Sequence, residues 1–310
     1  MNNPILVTGV GGQVGGIGQK VVKNLVEKNL PVRALIHSRD AALENELTSQ
    51  GVEVVVGDLT SLEDVHRALK GCKRLYFGMG ISDKYLEATV NTAVVAKYYK
   101  IECLVNISQM TVSFMSVNET TESPQQKLHW LSEQVLNWSL LPVVHVRSTV
   151  FLEHPFFSQW AAKSIKELGQ IELPFGAAKT SPIATDDVAR VIAEILSQPK
   201  NHIGKVYELT GPKSETMHEI ANEYQAALGR EITYVDIPLE KWRENLKQYN
   251  LPAHLCHHII TMAELHRQNR YDRMTTDVLK VTGKPPMSIT DWVKMNRNLF
   301  AGTTSSSQLT

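Results

Sequence analysis

The sequence is poor in cysteine, and its few cysteines are far apart. Cys72, Cys103 and Cys256 are the three present, and they form no CxxC pair. A disulfide framework needs several cysteines and zinc sites use closely spaced ones, so neither is expected, and no metal site is predicted. This cysteine usage favours a reducing, cytoplasmic setting.

The chain also lacks an excess of charge of either sign and lacks long apolar runs. It contains 32 Lys plus Arg and 32 Asp plus Glu. Balanced charge excludes a bulk attraction to nucleic acid or to an anionic membrane, so a phosphate-bearing ligand must meet a local site. No apolar run reaches the length of a membrane span, and the first strand leaves no room for a signal peptide. We therefore expect no direct nucleic-acid partner and no membrane association.

The most informative stretch that is present runs over residues 5–18, ILVTGVGGQVGGIG. It opens with an apolar run typical of a strand that is buried on both faces, and a glycine-rich turn follows. Residues 19–29 then show apolar positions at helical spacing. Glycines let the backbone approach a ligand closely, and the N–H groups of a first helical turn can face a pyrophosphate. The order therefore predicts dinucleotide binding rather than an ordinary turn.

The glycines of this turn fit the usual spacing in two registers, either Gly9, Gly12 and Gly15 or Gly12, Gly15 and Gly18. The turn is thus about one helical turn longer than the usual fingerprint requires. We expect Gly18 to pack against the helix and the preceding residues to line the pyrophosphate. The candidate phosphate-binding residues are Gly9, Gly12, Gln13, Val14, Gly15 and Gly18.

A repeated alternation of short apolar strands and amphipathic helices follows. Strands are predicted at 32–37, 52–56, 75–77, 103–107, 143–146 and 205–210, and helices at 41–50, 61–69, 85–99, 125–138 and 186–196. This order is typical of the α/β class with a Rossmann doubly wound parallel sheet and helices on both faces. The predicted NAD(P)-binding domain comprises residues 1–151, with 183–211 returning to it. Residues 152–310 form the smaller, mostly helical substrate-binding domain.

The end of the second strand decides which nicotinamide cofactor is expected. His37, Ser38 and Arg39 stand there. A carboxylate at this position would bond the ribose hydroxyls of NAD, whereas basic and hydroxyl groups suit the extra phosphate of NADP. Because Asp40 comes slightly late for the acidic role, NADP(H) is favoured over NAD(H). The alternative is that Arg39 is a solvated loop residue.

Residues at the carboxyl ends of later strands complete the expected cofactor site. Asp58 can accept a hydrogen bond from an adenine amino group, or it can cap the following helix. Small residues at 78–80 would let the cofactor pass, and Ser108 begins a loop of the kind that carries the chemistry in such sheets. The residues assigned to these contacts are Asp58, Leu59, Gly78, Met79, Ser108 and Phe151.

Aromatic residues gather just beyond the sixth strand, at Phe151, Phe156, Phe157 and Trp160. They predict either the core of a small second layer or a flat apolar substrate pocket. The two roles are compatible, since core-type residues line pockets. Phe151, Phe156 and Phe157 are the candidate substrate contacts.

Several stretches together resemble the NmrA-like group of atypical short-chain dehydrogenases. They are the glycine turn, VRALIH, GVEVVVGDL, HVRSTVFLE, ATDDVARV, GKVYELTG and TGKPPMSITDWV. The resemblance covers nearly the whole chain and implies a Rossmann domain that binds NADP(H) or NAD(H). This family divides into reductases of quinones, azo dyes and triarylmethane dyes, and non-catalytic sensors that bind the nucleotide to regulate a partner.

Short-chain dehydrogenases normally carry a Tyr and a Lys on one face of the helix before the sixth strand. Counting back from Pro142 and Arg147 puts these two positions on Gln125 and His129. A glutamine cannot donate a proton to a developing alkoxide as a phenol can. His129 is the candidate catalytic residue, because it can bond the cofactor ribose and hold the nicotinamide. It is alternatively a plain surface histidine, and Lys127 is a neighbour that could replace it.

The sequence thus predicts an NADPH-dependent oxidoreductase that transfers hydride to a quinone-like or other conjugated electrophilic acceptor. Such an acceptor delocalises the charge that it gains, so a dedicated protein acid is less necessary. The alternative is a non-catalytic NADP(H)-sensing regulator of the NmrA type. The expected partner is a small aromatic or quinone-like substrate, and a homodimer or a regulatory protein partner is left open.

Overall fold

The computed structural model of the protein describes residues 3–12 and 14–301. The strands are β1 (Ile5–Val7), β2 (Val32–Ile36), β3 (Glu53–Val56), β4 (Arg74–Phe77), β5 (Cys103–Gln109), β6 (Val143–Ser148), β7 (Gln170–Leu173), β8 (Lys179–Thr180), β9 (Val206–Leu209), β10 (Glu215–Thr216) and β11 (Thr233–Asp236). The α-helices are α1 (Ile17–Glu27), α2 (Ala41–Ser49), α3 (Leu62–Leu69), α4 (Tyr85–Tyr98), α5 (Pro124–Trp138), α6 (Ala161–Leu168), α7 (Thr185–Ser197), α8 (Met217–Leu228), α9 (Leu239–Lys247), α10 (Ala253–Arg267), α11 (Asp277–Thr282) and α12 (Ile289–Met295).

Seven strands form one sheet in the order β3-β2-β1-β4-β5-β6-β9. Each neighbouring pair in this sheet is parallel. The strand order reverses next to β1, so the carboxyl ends of β1 and β4 flank the crevice at which ligands bind in open α/β sheets. The predicted Rossmann doubly wound sheet is confirmed, and every strand and helix predicted in the alternating part is present, with bounds that differ only at their ends.

Both faces of the sheet are covered, and β1 shows why its sequence is apolar throughout. Ile5 and Val7 pack into a core that also contains residues of α1, α2 and α7. Leu6 points to the opposite face, where residues of α3, α4 and α5 complete a second core. Successive side chains of a strand alternate between faces, so a strand that is buried on both faces needs no polar position.

A separate hydrophobic core is built from residues between 150 and 300, and it contains the aromatic residues of the C-terminal part. β7 and β11 pair in parallel at its edge. The sequence did not indicate β7, since two of its four residues are Gln170 and Glu172.

α7 and β9 return to the large sheet in the predicted manner. α11 also returns, because Val278 packs into the sheet's core. The predicted division of the chain did not include this last return, and the domain boundaries themselves stay a prediction.

No helix in the part of the chain that the structure describes has the length and apolarity required to cross a membrane.

Candidate functional site

The turn between β1 and α1 leaves the start of α1 open to a ligand. Gly16 precedes the helix with φ 56°, and it has no side chain to accept from the first N–H groups of α1. Gly9 and Gly15 also have left-handed backbones, with φ 69° and 66°, a conformation that glycine adopts without strain. The first N–H groups of a helix lack partners within the helix, so this turn fits an anionic pyrophosphate. Gln13, predicted to line the same turn, lies outside the described residues.

Close backbone contacts explain why two of the glycines are needed. A Cβ added to Gly9 would lie 2.7 Å from the carbonyl oxygen of Gly78, and one added to Gly18 would lie 2.6 Å from the carbonyl oxygen of Gly9. Thr8 strengthens the junction, since its Oγ1 donates to the Gly78 carbonyl at 2.7 Å and accepts from the Gly78 N–H at 2.9 Å. These contacts hold the ends of β1 and β4 and the start of α1 together.

The longer turn divides into an exposed half and an anchored half. Gly11, Gly12 and Val14 are exposed. Gly15 is fixed, because its carbonyl accepts from Thr185 Oγ1 at 2.9 Å, and a Cβ there would lie 2.4 Å from Thr185 Cγ2. Gly11, Gly12 and Val14 therefore lie exposed between Gly9 and Gly15, which are both held by close contacts.

The loop after β2 presents two exposed side chains, His37 and Arg39, at the edge of the sheet, and His37 Nδ1 lies 3.8 Å from the Asp58 carboxylate. The side chains of His37 and Arg39 are 78% and 82% exposed, and Arg39 has only a 3.8 Å contact with Glu44. The Asp40 carboxylate already has hydrogen-bond partners, since it accepts from the N–H groups of Ala42 and Leu43 as the N-cap of α2. This cap gives the Asp40 carboxylate a local structural role at the start of α2.

Asp58 does not cap the next helix, so that alternative is wrong. Ser61 is the N-cap of α3 and accepts from the N–H of Asp64. The Asp58 carboxylate instead accepts from the N–H of Thr60 at 2.8 Å. Asp58 remains half-exposed at the edge of the sheet, where Leu59 and Met79 are also partly exposed.

Helix α5 is fixed firmly against the sheet. Glu133 of α5 accepts two hydrogen bonds from the Arg147 guanidinium on β6, at 3.0 and 2.6 Å. Ser132 shares a 2.9 Å hydrogen bond with Thr89 of α4. These buried contacts set the rotation of α5 and determine which of its residues face inward.

Gln125 and His129 lie on that inward face, one helical turn apart. Gln125 is 0% exposed and His129 is 7% exposed, so the alternative that His129 is a surface residue is wrong. Burial lowers the pKa of His129 to about 4, which leaves its imidazole neutral at neutral pH. Lys127 is exposed on another face of the helix.

Tyr85 is the aromatic neighbour of His129, with their ring centroids 4.3 Å apart. Its hydroxyl is 3.3 Å from the carbonyl oxygen of Ile107, to which it donates. Burial raises the pKa of Tyr85 above its usual range. Neither Tyr85 nor neutral His129 is therefore a ready proton donor at neutral pH.

Helix α10 lies against the start of α5 through two polar contacts. Gln125 Oε1 accepts from the N–H of Ser82 at 3.1 Å and from His254 Nε2 at 2.9 Å. Ser123 Oγ lies 2.8 Å from Nδ1 of the buried His258. These contacts were not predictable from local sequence patterns, because residues 123–125 and 254–258 are remote along the chain.

Several buried polar atoms near this junction have no hydrogen-bond partner among the residues that the structure describes. They are Thr111 Oγ1, Thr121 Oγ1, Gln125 Nε2, Gln126 Nε2, Gln126 Oε1 and His129 Nδ1. Buried polar groups in folded proteins are nearly always paired, so this part of the fold is unusual in leaving several of them unsatisfied. It lies on α5 and on the loop that follows β5, at the carboxyl edge of the sheet.

The histidines here do not make a metal site. Within residues 3–12 and 14–301, no group of three or more His, Cys, Asp or Glu side chains is arranged to hold a metal ion.

The sequence allowed Phe156 and Phe157 either a core role or a place in a substrate pocket, and the structure shows the core role. Both are fully buried in the C-terminal core, where the Phe156 ring meets Phe175 at a centroid distance of 5.0 Å. They present no surface to a substrate in this structure. Phe151 is half-buried, and its backbone bridges to Ile183 beside the sheet. Ser108, at the end of β5, is buried.

Comparisons with known proteins agree with this architecture. An NAD(P)H azoreductase of Xenophilus azovorans is 28% identical over 291 residues, covering 93% of this chain and 97% of the relative. An NADPH-dependent quinone oxidoreductase of Escherichia coli, solved with NADPH, has a TM-score of 0.81 at 22% identity and covers 95% of this chain and 100% of its own. The negative transcriptional regulator NmrA, solved with NADP, has a TM-score of 0.78 at 14% identity, with 95% of each chain covered.

The two structural likenesses show the fold, and the family model shows the family. The model described as the NmrA-like family matches residues 1–292. The chain therefore belongs to the NmrA-like family.

Proposed function

We propose that this protein is an NADPH-dependent reductase of quinone-like or other conjugated electrophilic acceptors. The observation that carries the proposal is the uncapped start of α1 behind the glycine turn, at the same edge of the sheet as the exposed Arg39 side chain. Its similarity to an azoreductase over almost the whole chain supports the same reaction class.

The residues at the sheet edge fit a dinucleotide. The exposed half of the glycine turn, including Gly12 and Val14, and the uncapped start of α1 would hold the pyrophosphate. Asp58, at the end of β3, would accept from the adenine amino group. His129, one helical turn from Gln125, would bond the nicotinamide ribose. A bound nicotinamide cofactor supplies the hydride.

Arg39 supports a preference for NADP(H) over NAD(H). It stands at the end of β2 with most of its side chain in solvent and one distant carboxylate neighbour. A guanidinium in this position can pair with the additional phosphate of NADP without first breaking a strong ion pair. His37 and Ser38 stand beside it.

The same site favours an acceptor that needs no strong protein acid. His129 is neutral and the Tyr85 hydroxyl is already engaged, so protonation falls to water after reduction. Quinones and azo compounds spread the incoming charge over a conjugated system, so binding and orientation can carry most of the rate enhancement. Phe151, half-buried beside the sheet, is the remaining candidate for an apolar contact with such an acceptor.

A panel assay tests the proposal. The purified protein is first titrated with NADPH by nicotinamide fluorescence, and NADPH absorbance is then followed with benzoquinones, naphthoquinones and azo dyes. We expect saturable NADPH oxidation in proportion to the protein concentration with at least one acceptor. Tight NADPH binding without oxidation by any acceptor would overturn the reductase.

A non-catalytic NADP(H) sensor is the second candidate. One observation favours it, namely the absence of a ready proton donor among the described residues facing Gln125 and His129. The NADP-bound regulator of the same fold has 14% identity with this chain. A sensor would bind NADPH or NADP+ and change its affinity for a protein partner, with no turnover in the panel.

A further inference from the structure

Residues from three distant stretches of the chain meet behind the glycine turn. They are Thr185 at the start of α7, Glu153 after β6 and Trp292 on α12, and Lys20 of α1 joins them. The first three belong to the stretches ATDDVARV, HVRSTVFLE and TGKPPMSITDWV, which the proposed reductase does not otherwise use. We call these four residues the Thr185 cluster.

The direction of the hydrogen bonds at the Thr185 hydroxyl is fixed. Lys20 Nζ lies 2.7 Å from Thr185 Oγ1, and an ammonium group can only donate. Thr185 Oγ1 accepts from Lys20 and therefore donates its own hydrogen to the carbonyl oxygen of Gly15, which is 2.9 Å away. Thr185 is 0% exposed, so solvent does not compete for this hydrogen bond.

This contact orients the peptide group between Gly15 and Gly16. Glycine has wide conformational freedom, so a peptide between two glycines needs an outside contact to keep one orientation. The carbonyl and the N–H of a trans peptide point in opposite directions. Because the Gly15 carbonyl points to Thr185, the N–H of Gly16 points away from α7, at the uncapped start of α1. Thr185 therefore sets the direction of a backbone N–H group at the place proposed for the pyrophosphate.

The Glu153 carboxylate holds Thr185 in place. The residue before α7 is Ala184, whose side chain cannot cap the helix. Glu153 Oε2 accepts from the N–H of Thr185 at 3.0 Å, and Glu153 Oε1 accepts from Trp292 Nε1 at 3.1 Å. Trp292 is 2% exposed and packs in the C-terminal core. A continuous series of hydrogen bonds thus runs from that core to the glycine turn.

We propose that Thr185 is a positioning residue for the dinucleotide pyrophosphate, and that Glu153 and Trp292 make nucleotide affinity depend on the C-terminal core. This inference rests on the cofactor site of the proposed function. The three side chains act through the Gly15 carbonyl and not by touching the nucleotide. Their loss should therefore weaken the binding of every ligand that has the pyrophosphate and spare a fragment that lacks it.

Variants of similar shape separate the hydrogen bonds from the packing. Thr185→Val removes the hydroxyl, whereas Thr185→Ser retains it, and Trp292→Phe removes the indole N–H. Thr92→Val is the matched control for threonine, since it removes a buried hydroxyl that donates to the carbonyl of Ala88 at 2.7 Å. Trp242→Phe is the control for tryptophan, since this buried indole N–H has no partner among the described residues.

The readouts are the dissociation constants of NADPH and NADH by nicotinamide fluorescence, that of adenosine 2′-phosphate by displacement of NADPH, and the melting temperature. We expect Thr185→Val to bind NADPH and NADH about fivefold more weakly, which corresponds to the loss of one hydrogen bond. Thr185→Ser should restore the affinity, and Trp292→Phe should lose about twofold to threefold. Adenosine 2′-phosphate has no pyrophosphate, so its affinity should not change. The two controls should lower the melting temperature and leave all three affinities unchanged.

The outcomes distinguish this inference from the function that it rests on. If wild type binds NADPH and Thr185→Val binds both nucleotides as tightly, the positioning role is wrong while the reductase stands. An equal loss of affinity in Thr92→Val, or an equal loss for adenosine 2′-phosphate, would also overturn it. If wild type binds NADPH but turns over no acceptor, the reductase fails, and the binding measurements still decide the role of Thr185. A wild type that binds neither nucleotide would overturn the cofactor site and this inference together.

Discussion

The two halves of the candidate site offer different kinds of group to a ligand. At the β1–α1 turn, the ligand-facing groups are backbone N–H groups, and the side chains nearby are absent, small or exposed. On α5, the candidate groups are buried side chains, Gln125 and His129, whose surroundings come from α4 and α10. Backbone recognition suits a cofactor shared by many proteins, whereas side-chain recognition can vary with the substrate. The predictions below separate these two regions.

Acid should act on four buried histidines, of which His129 and His258 belong to the α5 region and the other two lie in the C-terminal core. Burial lowers the pKa values of His129 to about 4 and of His154, His258 and His266 to about 3. Their unfolded pKa lies near 6.5, so the unfolded chain binds more protons as the pH falls. The contribution of each histidine to the free energy of unfolding is complete above about pH 6.5. Below that pH it falls by about 1.4 kcal/mol per pH unit.

With four such histidines, we expect the free energy of unfolding to fall by roughly 5 kcal/mol between pH 8 and pH 5.5. Urea denaturation followed by circular dichroism measures it. His266→Phe, which replaces a ring stacked on Phe175 and Tyr271, should recover about 1.4 kcal/mol of that loss. The exposed His37 offers the control His37→Asn, which should recover none. Equal stability at the two pH values would show that these histidines are not buried as neutral groups.

The glycine turn should respond to a single methyl group. Gly18→Ala places a Cβ against the Gly9 backbone, and overpacking of this kind costs about 1–3 kcal/mol. We expect both the melting temperature and the NADPH affinity to fall. Gly11→Ala is the matched control for the melting temperature, because its Cβ meets no protein atom within 4 Å. If the two variants have the same melting temperature, the junction of β1, the glycine turn and α1 is not the rigid part of the site.

Arg39→Ala tests cofactor choice within the same region. The loss of one charge-assisted contact with a phosphate should weaken NADPH binding about tenfold. NADH binding should be unchanged, since NADH lacks that phosphate. Fluorescence titration with both nucleotides gives the comparison, and unchanged NADPH affinity would contradict the assigned role of Arg39.

Asp40→Ala should have the smallest effect. Removing the cap of α2 should lower the free energy of unfolding by about 1 kcal/mol, and Asp40→Asn should retain most of it. The ratio of NADPH to NADH affinity should not change in either variant. A change in that ratio would mean that the carboxylate contacts the ribose after all.

The sequence predicted the first region far better than the second. A glycine turn, its strand and its helix are contiguous, so their order alone indicated the dinucleotide edge and the parallel sheet. The position of β2 was also predicted, with an end that differs by one residue, while the role of Arg39 stays a prediction. Local reasoning failed at Asp58, where Ser61 supplies the cap and Asp58 bonds Thr60 instead. Both residue types cap helices, and the choice depends on where the helix starts.

The second region depends on contacts between distant parts of the chain. The positions of Gln125 and His129 on one face of α5 followed from helical spacing, but their burial required α4 and α10. His254 and His258 gave no signal, since a histidine on a helix is usually unremarkable in sequence. Phe156 and Phe157 looked equally suited to a core and a pocket, and only the packing of the C-terminal part distinguished the two roles. Whether Gln125 and His129 occupy the usual Tyr and Lys positions stays a prediction, as does the cytoplasmic location.

The most direct test of the division between the two regions is to measure the dissociation constants of NADPH and NADH for wild type, Arg39→Ala and His129→Leu. We expect Arg39→Ala to weaken the binding of NADPH alone, because NADH lacks the additional phosphate. His129→Leu should weaken the binding of both nucleotides alike, because both carry the nicotinamide ribose. A His129→Leu protein that binds both nucleotides as tightly as wild type would contradict the assignment of α5 to the cofactor.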